Sequence, residues 1–269
     1  MNPPTVFKKL QQAECLLFDL DGTIYLGDQL LPGAAELVDY LNQQGKAHFF
    51  LTNNSSRSRK DYVEKLARYG LEVPLDQIFS SGMATAIYLR KKQPGAKIYL
   101  VGTPSLEEEF YDYGFQLVSE DPDYVVLGFD TTLTYNKLWK LTDFVRAGKP
   151  YIATHPDINC PTPDGFMPDI GAMMALVETS TGRAADVIVG KPNPPMVEAI
   201  VELTGYETQQ LLMVGDRLYT DIAMGQAGIS TALVLSGEAS REDLPKAPHQ
   251  PDFVFKNLAG LLQAYQSIE

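Results

Sequence analysis

The residues that invite chemistry are carboxylates, and they come in a pattern. Phe18-Asp19-Leu20-Asp21-Gly22-Thr23 sets two acids at i and i+2 directly after an apolar run. If the strand continued, both would project to the same side. Two carboxylates this close do not readily both ionise unless a cation or hydrogen bonds compensate. One division of labour fits: Asp19 as nucleophile and cation ligand, Asp21 as general acid and base. Gly22 permits a tight turn after them. Taken alone, the same hexapeptide also fits a strand that simply ends in an Asp-Gly turn.

Three further clusters carry related chemistry. Phe50-Leu51-Thr52-Asn53-Asn54-Ser55-Ser56 offers hydroxyl and amide donors between an apolar run and a helical pattern. Side chains and backbone N–H groups there can hold phosphate oxygens, or Ser55 or Ser56 can cap the helix. Val187-Ile188-Val189-Gly190-Lys191-Pro192 ends an apolar run in a lysine. Its ammonium can neutralise phosphate and nearby carboxylates, or it can sit on the surface just past a strand. In the stretch from Leu211 to Asp221, Asp216 is placed to bind a hard cation. Asp221, following Thr220 and opening a helix, can hold the metal shell or Lys191, or supply a favourable N-terminal charge. All four clusters fall at the ends of expected strands, where open parallel sheets bind ligands.

The elements that must position these residues follow a regular rhythm. Short apolar runs at 15–18, 47–51, 97–101, 124–127, 151–154, 186–189, 211–214, 231–235 and 252–255 read as strands. Amphipathic stretches at 32–44, 58–69, 105–113, 136–147, 171–181, 194–204, 221–227 and 258–266 read as helices, with Gly45 and Gly70 as stops. This alternation is that of parallel strands with helices on both faces. Ile158 to Ile170, with Pro161, Pro163, Pro168 and Gly165, is expected to be an ordered loop. The strand count is too high for one small sheet, and a domain inserted into another would explain it.

A chain of 269 residues suits one large domain or two modest ones. Its 45% hydrophobic and 21% charged residues exclude a collagen-like or wholly disordered polymer. Lys and Arg number 22 against 34 Asp and Glu, a net charge of −12. That balance argues against general nucleic-acid binding or docking to anionic lipid. Met1 to Leu10 has no apolar h-region, so no signal peptide is expected, and the apolar runs are too short to span a bilayer. Cys15 and Cys160 form no Cys-x-x-Cys pair, and His48, His155 and His249 are scattered, so neither a disulfide framework nor a thiolate or histidine metal cluster is indicated. A cytoplasmic enzyme is the economical reading.

The conjunction of Asp19-x-Asp21-Gly-Thr, Thr52, Lys191 and Gly-Asp216 with Thr220-Asp221 resembles the haloacid dehalogenase (HAD) superfamily of phosphatases. The phrases LTNNSSRS, ATHPDINCPTPDG, VGKPNPPM and GDRLYTDI are similar to its NagD-like, 4-nitrophenylphosphatase-like branch over essentially the whole chain. The resemblance implies an α/β fold: a Rossmann-like parallel sheet core, residues 1–80 and 185–269, with an inserted α/β cap domain at 81–184. It implies Mg²⁺ held by the Asp19 carboxylate, the Leu20 carbonyl and Asp216, with Gly22, Thr220 and Asp221 in support. Asp19 would form an aspartyl-phosphate, Asp21 would serve the leaving group and then water, and Thr52, Asn53 and Lys191 would bind phosphoryl oxygens.

The implied substrate is a small phosphorylated metabolite such as a sugar phosphate or nucleoside monophosphate, with 4-nitrophenyl phosphate as an artificial one. The implied assembly is a homodimer through the cap. A phosphomutase, or a non-catalytic phospho-ligand sensor on the same fold, are the alternatives. One departure stands out: the branch more often has asparagine where this chain has His155. His155, with Asp157, is expected to help select the substrate, unless it is simply a solvent-exposed loop histidine.

Overall fold

The computed structural model describes residues 9–162 and 165–268. The described residues divide into two compact units, one drawn from residues 9–52, 63–79 and 200–268, the other from residues 53–62, 80–162 and 165–199. Pro163 and most of the N-terminal decapeptide considered above lie outside the described residues.

The first unit is built on a six-stranded sheet. Its strands are β1 (Cys15–Phe18), β4 (Ala47–Thr52), β5 (Ile78–Ser80), β13 (Leu211–Gly215), β14 (Ser230–Val234) and β15 (Phe253–Phe255), in the order β15-β14-β13-β1-β4-β5. Pairing is parallel from β15 through β4, with Cys15 to Phe18 in register with Leu211 to Val214 on one side and Ala47 to Phe50 on the other. All four β1 side chains are buried, as a central strand covered on both faces requires. A small antiparallel hairpin of β2 (Tyr25–Leu26) and β3 (Gln29–Leu30) follows β1.

The helix Ala34–Gln43 buries Ala34, Leu37, Val38 and Leu41, the i, i+3, i+4, i+7 stripe of an amphipathic helix. Gly33 precedes it with φ +90°, and a Cβ there would come within 2.1 Å of the Ala259 nitrogen. Only glycine satisfies both conditions, and this lets the helix pack against Leu258–Gln266.

The second unit is built on a five-stranded parallel sheet of β6 (Lys97–Val101), β7 (Gln116–Leu117), β8 (Tyr124–Leu127), β9 (Tyr151–Ala153) and β12 (Val187–Ile188), ordered β12-β9-β8-β6-β7. Val101, Val125, Leu127, Leu141, Val145, Tyr151, Ile170 and Val177 form its apolar core. Thr103 and Thr134 cap helices Pro104–Asp112 and Tyr135–Arg146 by accepting from Leu106 N and Lys137 N.

The observed elements differ from the expected ones at several points, among them the short strands β2, β3, β5 and β7. The stretch read as an ordered loop contains an antiparallel hairpin, β10 (Asn159–Thr162) with β11 (Gly165–Pro168). Prolines are tolerated on such a free-standing two-stranded ribbon because half of its N–H groups face away from the partner. The helix Ser81–Lys92, directly after β5, was not anticipated. Its N-terminal turns are buried all round, Ser81 through Ile87 and Leu89, so no polar face marks it. The stretch 221–227 is a 3₁₀ helix, Ile222–Ala227, rather than an α-helix.

Finally, β12 pairs with β9, so residues 185–199, along with 53–62, lie in the second unit and not with the chain ends. Val189 N and Gly190 N extend that pairing by donating to Ala153 O and Thr154 O. Among the described residues, no helix is long and apolar enough to cross a membrane.

Candidate active site

In the first unit, neighbouring parallel strands bring the acids together. Asp19 N donates to Val214 O at 2.9 Å, extending the β1–β13 ladder by one residue. Asp19, Asp216 and Asp221 each offer a carboxylate oxygen within 4.8 Å of the others. Asp216 and Asp221 are buried, at 2% and 0% exposure. Asp216 Oδ2 accepts from Glu238 N at 2.7 Å, while its Oδ1 is buried with no hydrogen-bond partner. Burial pushes the Asp216 carboxyl well above its ordinary range, and the Asp19 and Asp221 charges push it further. Asp221 does not act as a side-chain cap for its 3₁₀ helix; its Oδ2 accepts from Arg217 N at 3.0 Å.

A buried carboxylate oxygen without a partner, among three converging acids, is the environment that a hard divalent cation relieves. The residues therefore fit a metal. The Leu20 carbonyl, expected as a ligand, accepts from Thr23 N, Ile24 N and Tyr25 N at 3.3, 2.9 and 3.2 Å and so closes the turn after Asp19. That turn also brings the Tyr25 hydroxyl to Asp21, donating to Oδ2 at 3.1 Å. Thr52 ends β4 and Thr220 precedes Asp221, both buried.

Glycines make the close packing feasible. A Cβ on Gly22 or Gly237 would lie 2.3 or 1.9 Å from Asp216 Oδ2, and one on Gly215 would lie 2.3 Å from Asp221. Gly237 and Glu238 were not singled out in the sequence. Arg217 Nε and the Tyr219 hydroxyl reach Glu238 Oε2 at 3.1 and 3.3 Å, holding the residue whose N–H serves Asp216. The available signal was the Ser-Gly-Glu segment shortly after β14, a glycine-containing loop at a strand end.

The second unit holds Asn53, His155, Asp157 and Lys191, all buried. The Asn53 carboxamide is fully engaged on its donor side. Its Oδ1 accepts from Lys191 N at 2.8 Å, and its Nδ2 donates to Lys191 O at 3.2 Å and to Asp157 Oδ1 at 3.0 Å. His155 is at 0% exposure, so it is not the solvent-exposed loop histidine.

His155, Asp157 and Asp169 form a second group of acceptor atoms within 4.8 Å of one another. Asp157 N donates to His155 Nδ1 at 3.4 Å, and His155 Nε2 lies 3.5 Å from Asp169 Oδ1, buried with no hydrogen-bond partner. Asp169 also caps the helix Ile170–Thr181.

Comparison with known proteins gives the family. Residues 16–116 match the family model described as haloacid dehalogenase-like hydrolase, and residues 188–261 match a second HAD hydrolase-like model. The chain is 36% identical over 251 residues to an acid sugar phosphatase of Staphylococcus aureus, covering 93% of this chain and 96% of that protein. A solved 4-nitrophenylphosphatase from Thermotoga maritima superposes with a TM-score of 0.92 at 50% identity, over 95% of this chain and 98% of that one. NagD from E. coli K-12 follows with 0.85 and 35%, over 91% and 97%. The chain belongs to the haloacid dehalogenase-like hydrolases, in their NagD-like branch. Within that branch it is a phosphoric monoester hydrolase.

Proposed function

We propose that the chain is a Mg²⁺-dependent phosphatase of small phosphorylated metabolites that works through an aspartyl-phosphate. The observation that carries this reading is the buried trio Asp19, Asp216 and Asp221 with the unpartnered Asp216 Oδ1. Relatives called acid sugar phosphatase and 4-nitrophenylphosphatase support a small phosphate ester as substrate.

The chemistry assigns a task to each side chain. Asp19 and Asp216, with Asp221 beside them, would hold the cation, which supplies charge neutralisation and polarisation of a phosphoryl oxygen when bound. The Asp19 carboxylate attacks phosphorus, forming a P–O bond as the ester P–O bond breaks. Asp21, oriented by the Tyr25 hydroxyl, gives its proton to the leaving alkoxide. It then takes a proton from the water that hydrolyses the acyl-phosphate, which restores both acids. Thr52 and Lys191 take phosphoryl oxygens, and Asn53 does so through its main-chain N–H because its side chain is occupied elsewhere. Positioning and charge neutralisation supply most of the acceleration in such transfers.

The test is phosphate release over a panel of metabolite esters with Mg²⁺, compared as kcat/KM. Asp19→Asn is expected to abolish turnover with an unchanged circular dichroism spectrum. Activity retained by clean Asp19→Asn protein rejects the nucleophile. Isomerisation of a sugar phosphate without net release would instead indicate a phosphomutase, and binding without turnover a sensor.

A further inference from the structure

We infer that the Asn53 side chain is a positioning device for Lys191. Asparagine is the side-chain copy of a peptide unit, with one carbonyl and one N–H₂ in a plane. Here it pairs with both main-chain groups of a single residue, accepting from Lys191 N and donating to Lys191 O. The second Nδ2 proton goes to Asp157 Oδ1, so neither N–H is left for a ligand. Lys191 itself is at 1% exposure, so its main chain is held where water cannot substitute for the lost bonds.

The surroundings are shaped around this clamp. A Cβ on Gly190 would lie 2.7 Å from Asn53 Oδ1 and 2.5 Å from His155 Cβ, so glycine at 190 keeps the clamp from being pushed off. Asp157 is in turn braced: its N–H donates to His155 Nδ1, and its carbonyl accepts from Gly171 N at 2.7 Å. Asp169, which caps the same helix, faces the other nitrogen of His155. Through Asp157, whose carbonyl accepts from Gly171 N, the clamp is tied to the first turn of the helix Ile170–Thr181.

The Asn53–Asp157 pair accordingly fixes where the Lys191 ammonium stands, and His155 acts through Asp157. Asparagine is required because aspartate could still accept from Lys191 N but could donate neither to Lys191 O nor to Asp157.

This inference rests on the phosphatase reading, with Lys191 as the phosphoryl ligand. A double-mutant cycle on kcat/KM separates acting through Lys191 from acting beside it. Asn53→Ala and Asn53→Asp are each expected to lower kcat/KM by roughly 10–100-fold, the usual cost of a displaced charge at a reacting centre. In the Lys191→Met background, either change is expected to cost under about 2-fold. A loss of the same size in both backgrounds overturns the inference and makes Asn53 an independent ligand.

If the Asn53 variants do not fold, Asp157→Ala removes the outer bond of the clamp and leaves both Asn53–Lys191 bonds. It should give a smaller loss that Lys191→Met also suppresses, and persistence of that loss overturns the inference equally. Amide exchange at Lys191 N–H needs no turnover, and Asn53→Ala should accelerate it; unchanged exchange overturns the clamp. Absence of phosphate release by the wild type would instead count against the phosphatase reading alone.

Discussion

At the scale of single residues, the decisive group is Asp216. Its Oδ1 is buried without a partner, and the Asp19 and Asp221 charges press on it. A cation that binds only the folded trio stabilises the fold by mass action, about 2.7 kcal/mol at a concentration 100 times its Kd. In a chain of this size that is a rise in Tm of roughly 5–10 °C. Asp216→Asn should raise the Tm measured without cation and remove most of the cation-dependent rise; calorimetric melts with and without Mg²⁺ check both, and an undiminished rise in the variant would sink the ligand assignment.

The convergence of Asp19, Asp216 and Asp221 could be anticipated because carboxylates advertise their chemistry by type. The partners of the Leu20 carbonyl and the Gly237–Glu238 N–H could not. Main-chain groups carry no residue-type signal, and their partners depend on how the turn closes.

At the scale of elements, Glu109 shows what helical patterning leaves out. It is the third of three consecutive glutamates, Glu107 to Glu109, in the helix Pro104–Asp112, and by sequence any of them could be solvated. The fold buries Glu109 between Arg59, 3.3 Å away, and the Ser80 hydroxyl, 3.2 Å away. Burial pushes its carboxyl from 4.5 up to about 7, against the downward pull of Arg59. An acid raised by folding makes the folded chain hold the extra proton. Stability is therefore greatest below about pH 4.5, falls as pH rises toward 7, and levels off above it.

The total fall is of order 3 kcal/mol for that shift. Urea unfolding at pH 5 and pH 8 should show wild type losing roughly 2–3 kcal/mol more than Glu109→Gln; equal losses would mean that Glu109 is not the buried acid described. The helix Ser81–Lys92 belongs to the same neighbourhood, since a Cβ on Gly82 would lie 2.9 Å from Glu109 Oε2. It escaped sequence reading for a related reason: its first two turns are buried on all sides, so they have no amphipathic period to detect. Helices with a solvated face, such as Ala34–Gln43 and Leu258–Gln266, were legible to within about two residues at each end.

At the scale of the whole molecule, the net charge of −12 should repel a phosphate ester. Screening confines that repulsion to roughly 8 Å at physiological salt, so the local sign decides. A divalent cation held among Asp19, Asp216 and Asp221 would offset two of their three negative charges and present a positive centre to the anion. Inorganic phosphate, titrated calorimetrically, should bind at least roughly 10-fold more weakly without divalent metal than with it. Equal affinities would show that the acids do not depend on a cation to accept an anion.

Sheet membership also belongs to this scale. The run Val187-Ile188-Val189 is apolar and short enough to suit either sheet, yet it pairs with β9. A strand's own residues encode that it is a strand, not which partner it finds. Partner choice is a long-range outcome of topology and of the hydrogen bonds that Val189 and Gly190 make beyond the strand.

The sequence by itself determined the alternation of strands and helices, the carboxylates and lysine at strand ends, and the family, because periodicity and side-chain chemistry are local properties that residue order carries directly. Only the tertiary structure decided that Asn53 spends its amide on Lys191, that Glu109 is buried, that the Leu20 carbonyl closes a turn, and that β12 joins the second sheet. Each of those depends on which distant segment comes within about 3 Å, the reach of a hydrogen bond, and that distance is set by the packing of the whole unit.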